Sequence, residues 1–316
     1  SVWQDYRRRL GALFTDLDRD NDLRQRWEAA EGGVTGITCF DAWVEELKTT
    51  GYLHNHARMW FASIWIFTLK LPWVLGADLF LRNLLDGDPA SNTLSWRWVA
   101  GMQTKGKTYL ARAENIAKFT RDRFNPTSDL STVANPVLEA STPARKAPPR
   151  NVSWDCTIPT GLLVTEEDLY PDFLLSNASR IEAAVLIRAT EYRSALDVSP
   201  EVLRFVDGAL ADTRSRLESA LESDCEIVQG SHAIDRVLDW TRQNGFRQLV
   251  TPYVPIGPTA DWVHVLSKKL RRHGIGLITR LRCWDKTSWP YATHGFFKFR
   301  EKIPKILRQV PLTSTN

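Results

Sequence analysis

Three short blocks of this chain gather groups able to bind ligands and to move charge. They are Gly51-Tyr52-Leu53-His54-Asn55-His56-Ala57-Arg58-Met59, Leu85-Asp86-Gly87-Asp88-Pro89-Ala90-Ser91-Asn92 and Trp96-Arg97-Trp98. Taken alone, Arg58 and Asp86 read as a salt bridge tethering a helix to a loop. Asp88, just before Pro89-Ala90, has the chemistry of a helix N-cap. Asn92 within Ser-Asn-Thr reads as a turn residue, and Met59 and Trp98 read as core filling. The chain also carries 13 Trp in 316 residues, well above ordinary usage. A buried indole N–H needs a partner, so so many rings are not placed casually. Beyond packing, electron relay and base stacking are the two functional reasons to want them.

Helices must position these groups. Apolar residues recur at helical spacing over 3–14, 41–49, 53–71, 76–85 and 112–123, with short polar or Gly/Pro breaks between them. Pro72 ends one helix, and Asp86-Gly87-Asp88-Pro89 has the composition of a turn. The run 59–76 is almost all apolar and close to the length that spans a bilayer. Lys70 and Pro72 interrupt it, so a helix buried inside an all-α domain explains it better. Residues 126–152, rich in Pro, Ser, Thr and Ala without periodicity, read as a linker or an extended surface arm.

Beyond that segment the pattern changes. Strands are expected at 184–189, 248–254 and 276–282, and helices at 201–221, 232–244 and 259–272. Ser199 is placed as the N-cap and Pro200 as the first residue of the helix at 201–221. Alternating strands and helices imply a parallel sheet with crossover connections. The fold class is therefore α and α/β: a helical domain at 1–125, a linker at 126–152 and an α/β domain at 153–316. No glycine-rich dinucleotide or nucleotide fingerprint follows any strand.

Composition narrows the remaining options. A net charge of +4 permits nucleic-acid binding without requiring it. Basic residues cluster at Arg7-Arg8-Arg9, at 268–272 and at 298–308, the last with Phe296, Phe297 and Phe299 nearby. Such runs are more often solvated helix faces than phosphate tracks. Cys39, Cys156, Cys225 and Cys283 form no CxxC, which argues against zinc or an Fe–S cluster and for reduced thiols. With no signal peptide at its start, the chain is expected to be cytoplasmic. Opening without Met inside a helix, it reads as a fragment or a processed piece.

The three blocks resemble the flavin pocket of the DNA photolyase/cryptochrome family in residue type, order and spacing. The resemblance covers roughly the first 125 residues. It implies a helical domain holding FAD, in which Arg58 and Asp86 form an ion pair beside the flavin ring. A fixed cation there stabilises an electron-rich reduced ring, and the acid orients the cation. Asp88 would meet the ring N3–H or the ribityl chain. Asn92 would face flavin N5, as in photolyase-like members, where plant-type cryptochromes carry Asp. An amide can bond a protonated N5 without offering an acid, which favours the reduced flavin. Asn55 would contribute to the cofactor site and, with His56, Met59 and Trp98, to a surface for a flipped-out pyrimidine dimer. His56 stands where the family usually carries Arg and Tyr52 where it usually carries Trp; both departures bear on repair more than on flavin binding. Trp96 and Trp73 match the first two members of the family's tryptophan electron chain, and the third has no clear match.

The resemblance also implies an earlier Tyr, a Thr-Ser pair gripping the FAD phosphates and a Trp-Arg-Glu helix, none of which occurs before residue 51. The isolated chain is therefore expected to bind FAD weakly or not at all. The region 230–310 resembles, in its rhythm, the family's antenna domain, which normally precedes the flavin domain; no antenna chromophore is identified. Three functions follow: light-driven electron transfer from reduced FAD to pyrimidine dimers in damaged DNA; a cryptochrome-like photoreceptor acting on a signalling partner without repair; or a degenerate, non-catalytic relative. No membrane role is expected.

Overall fold

The computed structural model describes residues 1–138, 144, 146–175 and 180–310. They divide into two compact units, Ser1–Pro143 with Arg193–Phe205 and Ala144–Tyr192 with Val206–Asn316.

The first unit is helical. Helix α1 (Val2–Leu17) opens on a capping box: the Ser1 hydroxyl accepts from the Gln4 N–H, while the Gln4 side chain reaches back to the N-cap backbone. Helices α2 (Asn21–Gly32) and α3 (Thr38–Thr50) end on Gly33 and Gly51, both left-handed. Helix α4 (Asn55–Ser63) is capped by His54, whose ring accepts from the His56 N–H. The single helix expected over 53–71 is not what forms. After Ser63 the helix widens into a π-turn over Ile64–Thr68, in which the Leu69 N–H reaches the Ile64 carbonyl. The chain then breaks at Lys70, with φ 53°, and Pro72.

Helix α5 starts at Trp73, earlier than the spacing predicts, and runs to Asn83; it is buried along its whole length. Pro72 sits at its N-cap and sets the entry. Helices α6 (Pro89–Val99) and α7 (Ala113–Thr120) complete the unit. Neither α2 nor α6 was expected from apolar periodicity. In α2 only Ala30 is buried, and the repeating face of α6 is made of Asp, Asn, Ser and Trp in place of aliphatic residues. Among the described residues no helix is long and apolar enough to cross a membrane. The apolar run 59–76 is shared between α4, the π-turn, the break and α5.

Aromatic rings form the core. Phe40, Phe61, Trp65 and Trp96 are each at most 2% exposed. Phe61 stacks on Phe40 at 4.3 Å between ring centroids, and Trp65 meets Trp96 edge-on at 6.2 Å. Gly76 is needed for this packing, because a Cβ there would lie 2.2 Å from Trp96 Cη2. The segment after 125 lies along this core as far as 138. The Ser131 N–H donates to Thr68 Oγ1 at 3.0 Å, and the Val137 N–H to the Ala100 carbonyl at 3.0 Å. Part of the expected linker, 139–143 and 145, lies outside the described residues.

A buried ion cluster ties α2 to α5. Arg82 Nε donates to Asp78 Oδ2 at 2.7 Å and its Nη2 to Glu31 Oε1 at 2.5 Å. The Ser199 N–H donates to the Arg82 carbonyl at 3.0 Å, bringing Arg193–Phe205 onto the same helix. Burial pushes the Asp78 and Glu31 carboxyls above their ordinary values, against the pull of Arg82. Burial also works against the Arg82 charge, but its two carboxylates carry its pKa above the usual value.

The second unit is a parallel sheet in the order β3-β2-β1-β4-β5. Its strands are β1 (Thr160–Thr165), β2 (Ile181–Ile187), β3 (Glu226–Val228), β4 (Gln248–Pro252) and β5 (Gly276–Arg280). Leu162 of β1 stands opposite Ala184 of β2 and Val250 of β4. The order runs outward from β1 to β3, then returns to β4 and β5, as in doubly wound sheets. Three strands fall where the sequence predicts them. The Thr-Gly opening of β1 and the three residues of β3 were too weak a pattern to read. Helices α8 (Pro200–Leu221), α9 (Ala233–Gln243) and α10 (Pro258–Arg272) make the crossovers, and short α11 (Cys283–Ser288), α12 (Phe296–Arg300) and α13 (Ile303–Gln309) follow. The Ser199 hydroxyl accepts from the Glu201 N–H at 3.2 Å at the start of α8. Residues Pro200–Phe205 of α8 group with the helical unit. The chain is thus α and α/β.

Candidate flavin site

One cavity of about 210 Å³ in the helical unit is bordered by the first turns of α4, the loop 84–88 and one face of α6. Two turns bring Arg58 and Asp86 to it. Gly51 ends α3 with φ 67°, and its carbonyl accepts from the Leu85 N–H at 2.9 Å, so the loop carrying Asp86 is anchored beside the start of α4. Only glycine fits there, since a Cβ would lie 2.6 Å from Leu85 Cγ. Arg58 Nε then donates to the Leu53 carbonyl at 2.7 Å, while Nη2 donates to both Asp86 oxygens at 3.0 Å. The guanidinium also lies over the Tyr52 ring at 5.6 Å. It is held from three sides, with the Arg58 side chain 24% exposed and the Asp86 side chain 60% exposed.

Asp88 caps α6, its carboxylate accepting from the Ser91 N–H at 2.5 Å. That cap starts the helix so that 88, 92, 95, 96 and 99 share the cavity wall. Asn92 Nδ2 donates to the Ala77 carbonyl at 2.7 Å. This spends one of the two amide N–H groups on α5 and leaves the oxygen able to accept from a ligand N–H. Trp96 is 2% exposed, borders the cavity, and its indole N–H has no hydrogen-bond partner among the described residues. Trp98 is 39% exposed, stacks on Tyr109 at 5.5 Å and forms an aromatic wall at the rim. Asn55 and Met59, one turn apart on α4, face the same space, with Asn55 Nδ2 3.7 Å from Met59 Sδ.

The structure therefore brings Asn55, Arg58, Met59, Asp86, Asp88, Asn92, Trp96 and Trp98 to one cavity. It places two expected site residues elsewhere. His56 does not border this cavity; its ring stacks on Trp60 at 5.6 Å and lines a separate cleft with Trp60 and Phe119. Trp73 is buried against Tyr6 at 6.1 Å. The ring neighbours of Trp96 are instead Phe61, Trp65 and Phe80. The cavity also uses residues that the sequence reading passed over: Ala62, Phe80, Ser91, Ser95 and Val99. Continuing the helical repeat from Asn55 through Met59 to Ala62, and from Asp88 through Asn92 to Ser95 and Val99, would have found three of them.

These groups fit the ring end of a flavin. A buried donor without a partner, an oriented amide oxygen and a fixed cation converge on one space, next to apolar walls. The volume, about 210 Å³, is below the roughly 300–1,000 Å³ of ordinary small-molecule sites.

Comparison with known proteins supports the same reading. Residues 2–142 match the family model described as the FAD binding domain of DNA photolyase. The deoxyribodipyrimidine photo-lyase of Streptomyces griseus is 41% identical over 102 residues, 32% of this chain and 21% of that protein. That of Thermus thermophilus is 39% identical over 90 residues, 28% and 21% of the two chains. The cryptochrome DASH of Gloeobacter violaceus is 32% identical over 155 residues, 46% and 30%. No solved structure matches the chain. The chain spans only 21–30% of the lengths of these three relatives, and it is residues 2–142 that are similar to the FAD binding domain of DNA photolyase.

Proposed function

We propose that this is a photolyase-like flavoprotein acting on damaged DNA. The observation that carries the proposal is the convergence of Arg58, Asp86, Asn92 and Trp96 on one cavity. When bound, reduced FAD supplies an electron on excitation by blue light, here to a pyrimidine dimer. The protein's own part is positioning. Arg58, held by Asp86 and the Leu53 carbonyl, keeps a positive charge beside the ring without having to reorganise. The Asn92 oxygen accepts the proton-bearing edge of a reduced ring, and Ala77 keeps that amide from turning. Asp88 fixes the helix that carries both Asn92 and Trp96. Asn55, Met59 and the half-exposed ring of Trp98 form a mixed polar and apolar rim suited to splayed pyrimidines.

A photoreceptor without repair is the second reading. It is favoured by His56, which lies outside the cavity and so leaves the lesion rim without the cation usual at that position. The test is blue-light cleavage of thymine dimers in irradiated oligonucleotides by the protein purified from its host with its flavin. Dimer cleavage lost in Trp98→Ala supports the first reading, and light-driven flavin reduction with no cleavage leaves the second. The α/β unit, read as antenna-like, would transfer excitation to the flavin, and an excitation band distinct from the flavin's own checks this. The 316-residue chain alone is expected to retain FAD weakly, which equilibrium dialysis measures directly.

A further inference from the structure

The last elements of the α/β unit bury little and set large exposed rings among cations. Helix α12 buries none of its residues, and Phe296 and Phe297 at its start are 63% and 74% exposed. Adjacent exposed rings with cations around them mark a contact surface more often than single exposed side chains do. The Lys302 N–H donates to the Phe299 carbonyl at 2.8 Å, so α12 runs straight into α13. Ile306, 1% exposed, seats α13 on the unit and leaves Lys305, Leu307 and Arg308 in solvent. Lys305 Nζ lies 5.4 Å over the Tyr291 ring, and Trp289 in the same short turn meets Tyr253 edge-on at 5.6 Å. That turn and α13 are thus held together, with α12 leading into them. Across 296–308 five cations, Lys298, Arg300, Lys302, Lys305 and Arg308, stand against one carboxylate, Glu301, and all six are exposed.

We infer that this surface docks on a membrane containing anionic phospholipid, with Phe296 and Phe297 entering the acyl boundary and the cations resting on headgroup phosphates. Charge complementarity selects the class of occupant. Five cations against one carboxylate, set around exposed rings, suit a partner that is anionic outside and apolar beneath. Ring geometry then selects the bilayer over nucleic acid. Base stacking needs a flat ring face left open. The Phe296 and Phe297 planes stand at 64° with centroids 5.9 Å apart, and Arg300 lies over the Phe297 ring at 5.7 Å. One face of Phe297 is therefore covered, and the two rings form no parallel slot for a base. A bilayer asks only for apolar volume that protrudes past a rim of cations. No described helix is long and apolar enough to cross a membrane, and none is required. Binding in the interface plane depends on the apolar area inserted and on attraction to anionic lipid.

The inference does not depend on flavin or on repair, and its test uses neither. Co-sedimentation of the whole chain with extruded vesicles is followed in the dark at several salt concentrations. Vesicles of equal parts phosphatidylcholine and phosphatidylserine are expected to bind the parent, and vesicles of phosphatidylcholine alone to bind it at least about tenfold less. Phe296→Ser with Phe297→Ser is expected to weaken binding at least about tenfold, by withdrawing two rings from the acyl boundary. Phe296→Leu with Phe297→Leu, which keeps the apolar bulk and removes the ring faces, is expected to stay within about threefold of the parent. Lys302→Gln with Arg308→Gln is expected to weaken binding about fivefold per charge removed and to flatten its dependence on salt. Every substituted side chain is exposed, so thermal unfolding of each variant should match the parent's. Equal binding of the parent to both kinds of vesicle, or parent-like binding by the double serine variant, would overturn the assignment. So would a parent that ignores anionic vesicles, including one that instead binds an undamaged oligonucleotide through these same residues.

Discussion

Two arginines of the helical unit hold carboxylates in opposite ways. Arg82 closes on Asp78 and Glu31 inside the core, its side chain 9% exposed, and every strong donor is turned inward. Arg58 holds Asp86 at the edge of a cavity, and a face of the pair stays open. The first arrangement satisfies itself and links α2 to α5. The second is anchored by backbone carbonyls and leaves its charge for something else. The second pair is thus marked by its incompleteness and not by its strength.

This contrast can be broken experimentally. The largest effect is expected from Arg82→Met, which strands two buried carboxylates: about 3–5 kcal/mol of stability lost in urea unfolding. A loss below 1 kcal/mol would show that the cluster is no more structural than the surface pair. Next comes Gly76→Ala, whose added methyl meets Trp96 at 2.2 Å. It should cost about 1–3 kcal/mol, with a shift in tryptophan emission. Arg58→Met should change stability by less than about 1 kcal/mol, since the pair is largely solvated, yet lower flavin affinity of the host-purified protein at least tenfold, roughly 1.4 kcal/mol. Equal losses in both assays would erase the distinction.

The smallest effect separates the pairs by pH. The Glu31 carboxyl is raised by burial, so the folded state binds its proton more tightly than the unfolded state does. Its contribution is complete below the unfolded pKa of about 4.3 and is lost as pH rises through the higher folded value. The stability of the parent relative to Glu31→Gln should therefore fall over that window in thermal unfolding at stepped pH. A relative rise would contradict the sign.

The thiols offer an independent check on burial. Burial first, helped for Cys225 by the Glu218 charge, pushes Cys39 and Cys225 to about 11, whereas Cys283 is exposed. Because the thiolate is the nucleophile, a maleimide at neutral pH should label Cys283 well before either of them.

How much of this was legible in the sequence depended on which physical signal each part uses. The helices at 41–49 and 76–85 announced themselves because their buried faces are aliphatic or aromatic. Helix α6 did not, because the face it turns to the cavity is Asp, Asn, Ser and Trp in place of aliphatic residues. The same property made its residues conspicuous as chemistry while hiding them as structure. That Asn55 faces the cavity and His56 does not was not legible, because neighbours about 100° apart on a helix can share a wall, as Arg58 and Met59 do. The ring neighbours of Trp96 were not legible. They depend on Gly76 admitting the indole between α5 and Trp65, a contact between elements that no spacing along the chain encodes.

The widened turn after Ser63 has a consequence of its own. One extra residue per hydrogen-bonded loop rotates everything downstream out of phase with what came before. Asn55, Arg58 and Met59 ahead of it face the cavity, while Trp65 and Thr68 within it answer to the Pro72 carbonyl and to the Ser131 N–H. Removing a single residue between 64 and 68 would restore a uniform pitch and send the indole and hydroxyl to the wrong neighbours, while Asn55, Arg58 and Met59 kept their places on α4.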